Sequence, residues 1–201
     1  MAAAPGTPAL VALLPPGPDA SLYDYAPVAR ASEEAVFRRN EATSAGATAT
    51  LADAVVVEDF EVSARGGAEV FEMLSSGPRV ALAIPCRVAL PLLVLHVKDV
   101  GRFFAIEVDC ADADGAPLRI VVSNRQRSVR VQGAHAALPL ATVPGWNVLR
   151  IDVADAVWRA FGRAYAGTTQ VAVTATCRVA RVFFEVRPFE DAELPAFLRT
   201  F

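Results

Sequence analysis

Lysine is almost absent from this chain, since Lys98 is the only one and arginine supplies the other positive charges. Histidine is also scarce, since His96 and His135 are the only two, so the sequence offers few histidine ligands for a metal site. No stretch approaches the roughly 18 consecutive apolar residues that a membrane-spanning helix requires. We therefore expect neither a membrane span nor a metalloenzyme.

The three cysteines, Cys86, Cys110 and Cys177, are odd in number and form no C-x-x-C pair. This pattern indicates three reduced thiols in a cytosolic protein rather than a disulfide framework. A short apolar run, Ala9 to Leu14, lies near the N-terminus, but no basic residue precedes Arg30. A secretory signal peptide needs a positive region before its apolar core, so we expect none.

Composition divides the chain into three parts. Residues 1–50 are rich in Ala, Pro, Gly, Ser and Thr, and only residues 32–39 have the pattern of a short capped helix. We expect an extended Ala/Pro-rich arm over 1–50, a β-sandwich domain over 51–187 and a C-terminal tail over 188–201. By this division the arm adds no core element, and a chain beginning near Leu51 should keep most of its thermal stability.

Short runs of alternating apolar and polar residues fill the middle of the chain. One helical segment is expected over 155–163. Many short strands with a single helix predict an all-β sandwich. The expected strands are 54–62, 69–74, 79–84, 90–98, 102–110, 117–123, 127–132, 147–153, 170–176 and 179–187.

Two segments superficially resemble ligand-binding loops. The segment 162–169 has the spacing of a phosphate loop, but it lacks the lysine and follows a helix instead of a strand. Asp109, Asp112 and Asp114 do not fill the register of a calcium loop, and Asp114-Gly115 predicts a hairpin turn instead. Without any catalytic motif, we expect no enzyme activity, no cofactor and no bound metal.

Charge is distributed unevenly. Residues 119–187 contain ten arginines and three acidic residues, a net charge of +7, whereas residues 1–118 carry a net charge of −8. A basic half in an acidic protein indicates an acidic partner surface. The alternative is that these arginines solvate the strands and deter edge pairing.

Six arginines are the candidate partner-binding residues. Arg125, Arg127 and Arg130 flank a predicted strand whose Val129 and Val131 should face the core. The other three, Arg178, Arg181 and Arg187, lie in or beside the last predicted strand, where alternation places Arg181 and Arg187 outward. Nucleic acid is not an expected partner, because no aromatic residues are interleaved with these arginines on the strand faces.

An ordered set of short motifs extends over roughly residues 79–197. The motifs are Leu90-Pro-Leu to Val100, Arg102-Phe-Phe to Val108, Ser123-Asn124 with Gln126, Arg130-Val131, Gly145-Trp146-Asn147, Arg159-Ala-Phe-Gly162 with Tyr165, Cys177-Arg178, Arg181-Val-Phe-Phe184 and Glu190 to Pro195. In order and spacing, over more than half of the chain, this set resembles the cilia- and flagella-associated protein 20 family.

This resemblance implies a jelly-roll-like β-sandwich, similar to carbohydrate-binding modules. It also implies a structural microtubule-associated protein of the ciliary or flagellar axoneme, with tubulin and other axonemal proteins as partners. The sequence departs from the family before residue 79, and nearly all family lysines are missing, so we interpret it as a divergent paralogue. Which axonemal structure would hold it stays open.

The alternative function is a carbohydrate- or small-ligand-binding module of the same fold. Such a module needs an exposed aromatic platform. Trp146, which follows Pro144-Gly145, is the motif tryptophan, and we expect it to be a core plug instead of a ligand platform. That expectation disfavours the alternative.

Overall fold

The computed structural model describes residues 9–14, 54–62, 68–73 and 81–200. These residues form twelve strands, one α-helix and two short 3-10 helices. The strands are β1 (Leu10–Leu14), β2 (Ala54–Asp59), β3 (Ala68–Met73), β4 (Ala81–Val88), β5 (Leu92–Asp99), β6 (Phe104–Asp112), β7 (Pro117–Ser123), β8 (Arg130–Gln132), β9 (His135–Pro139), β10 (Gly145–Asp152), β11 (Tyr165–Ala175) and β12 (Cys177–Glu185), and the helix is α1 (Val153–Phe161).

The strands form two six-stranded sheets, which confirms the predicted all-β sandwich. Sheet A has the order β10-β5-β12-β3-β2, and β1 also pairs with β12. Sheet B has the order β4-β11-β6-β7-β9-β8, with β7 and β9 parallel. The last two strands in this order, β9 and β8, form an antiparallel hairpin at one edge of sheet B.

Alternation along the strands builds the core between the sheets. In β6, Ile106, Val108 and Cys110 are fully buried or nearly so, while Glu107 and Asp109 point to the outer face. In β12, Val182 and Phe184 enter the same core. This is the period-2 pattern that a sandwich strand needs, because successive side chains point to opposite faces.

Helix α1 is fixed at both ends by its own sequence. The Asp152 side chain accepts a hydrogen bond from the Asp155 N–H, and Gly162 ends the helix at a positive φ of 66°. Val153 and Val157 are buried beneath the helix. The helix therefore covers one part of the main core. Its existence confirms the predicted helical segment over 155–163, although it begins and ends two residues earlier than predicted.

The turn between β6 and β7 confirms the predicted hairpin. Gly115 has a φ of 80°, which a residue with a Cβ rarely adopts. Asp112 Oδ1 accepts hydrogen bonds from the N–H groups of Asp114 and Ala116, and its Oδ2 accepts one from Arg163. The carboxylate that resembled a calcium ligand thus stabilises the turn.

The structure differs from the expectation for the arm at residues 10–14. This run forms β1 on β12, and Leu14 is only 2% exposed within the main core. Its apolar side chains become buried only by contact with β12, which is distant in sequence. The amino-acid composition of residues 1–50 alone does not predict such a contact. The short helix expected over 32–39 lies outside the described residues.

Sheet B contains two further differences. The expected strand 79–84 continues through Pro85 to Val88. A proline has no backbone N–H to donate, and it is tolerated here because β4 is an edge strand of sheet B. The sequence does not predict β9, since its Ala-rich stretch has little strand preference, and this strand is held by parallel pairing with β7.

The C-terminal segment packs on the outer face of sheet A. Leu194 and Leu198 are buried against Val94 and Phe183. Residues 188–200 therefore cover part of a sheet face that alternation alone leaves open. Among the described residues, no helix is long and apolar enough to cross a membrane.

Candidate docking surface

The basic segment, residues 124–132, connects β7 to the β8–β9 hairpin and continues through β8. Its starting point is fixed by Ser123 and Asn124. Asn124 Oδ1 accepts a hydrogen bond from the Phe104 N–H at 3.2 Å, and its Nδ2 donates to the Arg102 carbonyl at 2.7 Å. The Ser123 hydroxyl accepts a hydrogen bond from the Gln126 N–H. These contacts explain structurally why a serine–asparagine pair stands at the end of β7.

Within the segment, polar side chains satisfy the backbone and leave the arginines outside. Gln126 Nε2 donates to the Ser128 carbonyl at 2.6 Å. The Arg125 guanidinium lies 5.9 Å from the centroid of the Phe103 ring, within the range of a cation–π contact. Arg127 and Arg130 are exposed.

The prediction that Val129 and Val131 face the core is wrong. They are 60% and 45% exposed, because β8 has only three residues and pairs with β9 alone. The alternating pattern around them is present, but β8 is the outermost strand of sheet B, and its two valines stay exposed although Ala136 of the neighbouring β9 is buried. The basic segment therefore displays three arginines and two valines, and it contains no acidic residue.

Arg178 is half-buried in an ion-pair cluster on sheet A. It donates to Asp59 Oδ2 at 2.6 Å and to Glu72 Oε1 at 2.6 Å. Lys98 and the Trp146 indole N–H also contact the Asp59 carboxylate, at 3.0 and 3.4 Å. Arg178 thus connects the β2–β3 hairpin to the rest of sheet A.

Arg181 points to the outer face of β12, as alternation predicted, but it is only 9% exposed. Its Nε donates to the Phe197 carbonyl at 3.1 Å, and its Nη1 lies 3.3 Å from His96 Nδ1. The C-terminal segment covers this face. Burial, assisted by the Arg181 charge, lowers the pKa of His96 to about 4, so the imidazole is neutral at pH 7.

Arg187 is exposed but paired. Its guanidinium contacts Glu193 Oε1 at 2.8 Å and lies 4.2 Å from the centroid of the Phe189 ring. The hydrogen bond from Arg187 lowers the pKa of Glu193 to about 2. The structure therefore does not bring the six candidate arginines onto one surface: only Arg125, Arg127 and Arg130 lie together.

Most other arginines among the described residues 81–200 also have acidic partners. Arg119 pairs with Asp109, Arg150 with Glu185, Arg159 with Asp155 and Arg163 with Asp112. Arg87 and Arg102 are exposed and likewise make no ion pair with a described residue, but they stand singly. The basic segment is distinctive because it groups three such arginines within six residues. Sequence reasoning found these arginines by charge bias, but it missed the exposed valines between them.

The sequence predicts a core plug at Trp146, but the structure places it outside the main core, partly buried in a small apolar cluster on the outer face of sheet A. It packs with Val62, Val70 and Ala180, and its ring centroid lies 4.7 Å from that of His96. Because its indole N–H is directed at Asp59, this ring offers no free aromatic platform for a sugar.

The Asp59 carboxylate makes stability sensitive to acid. Burial by itself raises the pKa of Asp59, but hydrogen bonds from Arg178, the Glu61 N–H and Lys98 outweigh it and lower the pKa to about 2. Because the ordinary value is 3.8, the contribution of this ionised group is complete above about pH 4 and is lost as the pH falls through 2.

We therefore expect the stability difference between the wild type and Asp59→Asn to shrink as the pH falls from 5 to 2. The shift corresponds to roughly 2 kcal/mol. Urea denaturation at several pH values measures this difference. A gap that stays constant from pH 5 down to pH 2 would show that folding does not lower the pKa of Asp59, and would contradict the ion-pair account.

Other reactive groups are enclosed. Cys86, Cys110 and Cys177 are free thiols, and burial raises the pKa of both Cys86 and Cys110 to about 11. Burial also raises the pKa of Cys177. Within the described ranges, no group of three or more His, Cys, Asp or Glu residues is placed to hold a metal ion.

Comparison with known proteins agrees with the motifs seen in the sequence. The model of the CFA20 domain matches residues 80–201, more than half of the chain. This chain belongs to the CFA20-domain family. The match covers sheet B, β5, β10, β12 and the C-terminal segment, and it includes the whole basic segment. Strands β1, β2 and β3 lie outside it.

Several curated relatives of this CFA20-domain chain are named cilia- and flagella-associated protein 20. The protein from Chlamydomonas reinhardtii is 34% identical over 114 residues, 57% of this chain and 60% of the relative. The Caenorhabditis elegans protein is 34% identical over 109 residues, 54% of each chain, and the Paramecium tetraurelia protein is 32% identical over 114 residues, 57% of this chain and 60% of the relative. The chain thus spans little more than half the length of these relatives.

Among solved structures, an exo-beta-agarase superposes with a TM-score of 0.37 at 8% identity, covering 69% of this chain and 23% of that chain. A likeness this low carries no argument about sugar binding.

Proposed function

We propose that this CFA20-domain chain is a non-enzymatic structural protein of the ciliary or flagellar axoneme, and that its basic segment docks on an acidic surface of tubulin or of a neighbouring axonemal protein. The names of its relatives motivate the cellular location. The observation that carries the docking surface is the group of three exposed arginines that make no ion pair with any described residue.

Binding an acidic partner is more favourable in free energy for these unpaired arginines than for arginines that already have an ion pair. A guanidinium already paired inside the protein must give up a partner to bind a new one, whereas Arg127 and Arg130 need only leave water. Each desolvated guanidinium–carboxylate contact contributes about 1–3 kcal/mol. Val129 and Val131 add apolar contact area beside the charges.

The double variant Arg127→Glu/Arg130→Glu tests this proposal. Both side chains are exposed, so we expect the melting temperature to stay nearly unchanged, with less than about 0.5 kcal/mol lost for each. Retention in detergent-extracted axonemes should fall strongly, because two attractive contacts become repulsive. Raised salt should also release the wild-type protein.

A charge-matched control is Arg87→Glu/Arg159→Glu, which changes the net charge equally at exposed positions on β4 and α1. Its melting temperature is measured as well, because Arg159→Glu also replaces the ion pair with Asp155 by two like charges. This variant should be retained like the wild type. If the folded Arg127→Glu/Arg130→Glu variant is also retained through a salt wash, the docking face lies elsewhere, on the acidic half of the chain.

A further inference from the structure

The centre of the basic segment holds an unused hydroxyl group. Ser128 is exposed and lies in the sequence Arg125-Gln-Arg-Ser-Val-Arg130, with arginines three and one residues before it and two residues after it. Its backbone carbonyl is held by Gln126, but its hydroxyl makes no hydrogen bond with any described residue. Residues 126–129 lie outside all strands.

We propose that Ser128 is a phosphorylation site for a basophilic protein kinase, and that phosphate at this position releases the basic segment from its acidic partner. The second half of this inference rests on the proposed docking function, whereas the first half does not. Kinases of this class bind arginines beside the target serine in acidic pockets, so the flanking charges supply recognition.

The reaction is a simple transfer from ATP. The Ser128 Oγ attacks the γ-phosphorus, the bond from that phosphorus to the bridging β–γ oxygen breaks, and ADP leaves. The hydroxyl proton passes to the catalytic carboxylate of the kinase. Nothing on this chain needs to act as a base, because the kinase supplies the catalytic groups.

Accessibility separates Ser128 from the neighbouring Ser123. Ser123 is 8% exposed at the end of β7, and its hydroxyl accepts the Gln126 N–H. A kinase must surround the acceptor and bind several residues in extended form, which the exposed stretch around Ser128 permits and the β7 position does not. Ser123 is therefore an internal control in the same part of the chain.

The electrostatic effect of the phosphate follows from counting charges. The basic segment carries three positive charges, and a phosphoserine adds about −1.5 to −2 at pH 7. The net charge then falls to about +1. The phosphate oxygens would also form charge-assisted hydrogen bonds with Arg127 and Arg130, which removes both guanidinium groups from contact with a partner.

The first experiment tests the site alone. The full chain is incubated with magnesium, ATP and the catalytic domain of protein kinase C, then cleaved after acidic residues and mapped by mass spectrometry. We expect phosphate on Ser128 in the wild type and in Ser123→Ala, none at this position in Ser128→Ala, and about tenfold slower incorporation in Arg125→Gln/Arg130→Gln. Phosphorylation of a peptide of residues 122–134, but not of Ser128 in the folded protein, would overturn the proposal, as would no reaction in either.

The second experiment tests the switch by cosedimentation with detergent-extracted axonemes, which carry both tubulin and the neighbouring axonemal proteins. The phosphorylated wild type should bind about tenfold more weakly than kinase-treated Ser128→Ala. If Arg127→Glu/Arg130→Glu binds less but phosphorylation has no effect, the switch is wrong and the docking proposal stands. If neither change alters binding, the docking proposal itself fails, while the phosphorylation site is judged by the mapping alone.

Discussion

Replacing Asp59 with alanine is expected to lower the free energy of unfolding by about 3–5 kcal/mol. The Asp59 carboxylate is 3% exposed and contacts Lys98, Arg178 and Trp146. Removing it takes charge-assisted hydrogen bonds from Lys98 and Arg178 at once, and leaves these two cations close together with only the more exposed Glu61 and Glu72 as acidic partners. The effect therefore combines several lost hydrogen bonds with repulsion between the two cations, which exceeds the loss of any one hydrogen bond.

Chemical denaturation of Asp59→Ala and Asp114→Ala makes this comparison directly. Asp114 lies in the β6–β7 turn with an exposed side chain, and its loss should cost less than about 0.5 kcal/mol. Similar losses of unfolding free energy for Asp59→Ala and Asp114→Ala would mean that the ion-pair cluster contributes little to holding β2 against the rest of sheet A.

The variant Leu14→Ala should also be strongly destabilised, by about 2–5 kcal/mol. Leu14 is the most buried residue of β1 and packs in the main core between the sheets. The loss combines less apolar burial with a cavity that the surrounding strands fill only in part. Thermal or urea unfolding measures it, and Leu10→Ala is the matched control, because Leu10 is only partly buried, beside the C-terminal segment.

The stability of Leu14→Ala bears on the role of residues 1–50. Their composition predicts an arm without core elements, whereas β1 pairs with β12 from Leu10 to Leu14. A chain beginning at residue 51 should therefore melt well below the full chain. Equal melting temperatures, together with a neutral Leu14→Ala, would mean that the arm is dispensable for folding, as its composition suggests.

Features with a local periodic signal are predictable from the sequence. The bounds of β7 match the expected strand 117–123, and the Gly115 turn follows from glycine chemistry. β1 and β9 are not predictable in this way. The first is separated from its partner strand by most of the chain, and the second has weak strand preference and depends on pairing with β7.

The same distinction separates the features of the candidate docking surface that the sequence predicts from those that it does not. Charge bias identifies Arg125, Arg127 and Arg130, because an excess of one sign is visible in the sequence. Alternation places Arg181 on the correct face, but whether that face is open depends on the C-terminal segment, whose packing has no periodic signal. Exposure of Val129 and Val131 likewise depends on how the described part of the fold leaves β8 uncovered, which is a property of the tertiary structure.

Contact between the basic segment and an acidic partner in the axoneme is the central expectation for this protein. Cryo-electron microscopy of intact axonemes at a resolution that shows side chains would identify the chains around it. Arg127 and Arg130 are predicted to lie within contact distance of carboxylates of tubulin or of a neighbouring axonemal protein. A position in which residues 124–132 face solvent, while another surface makes the contacts, would contradict the docking proposal.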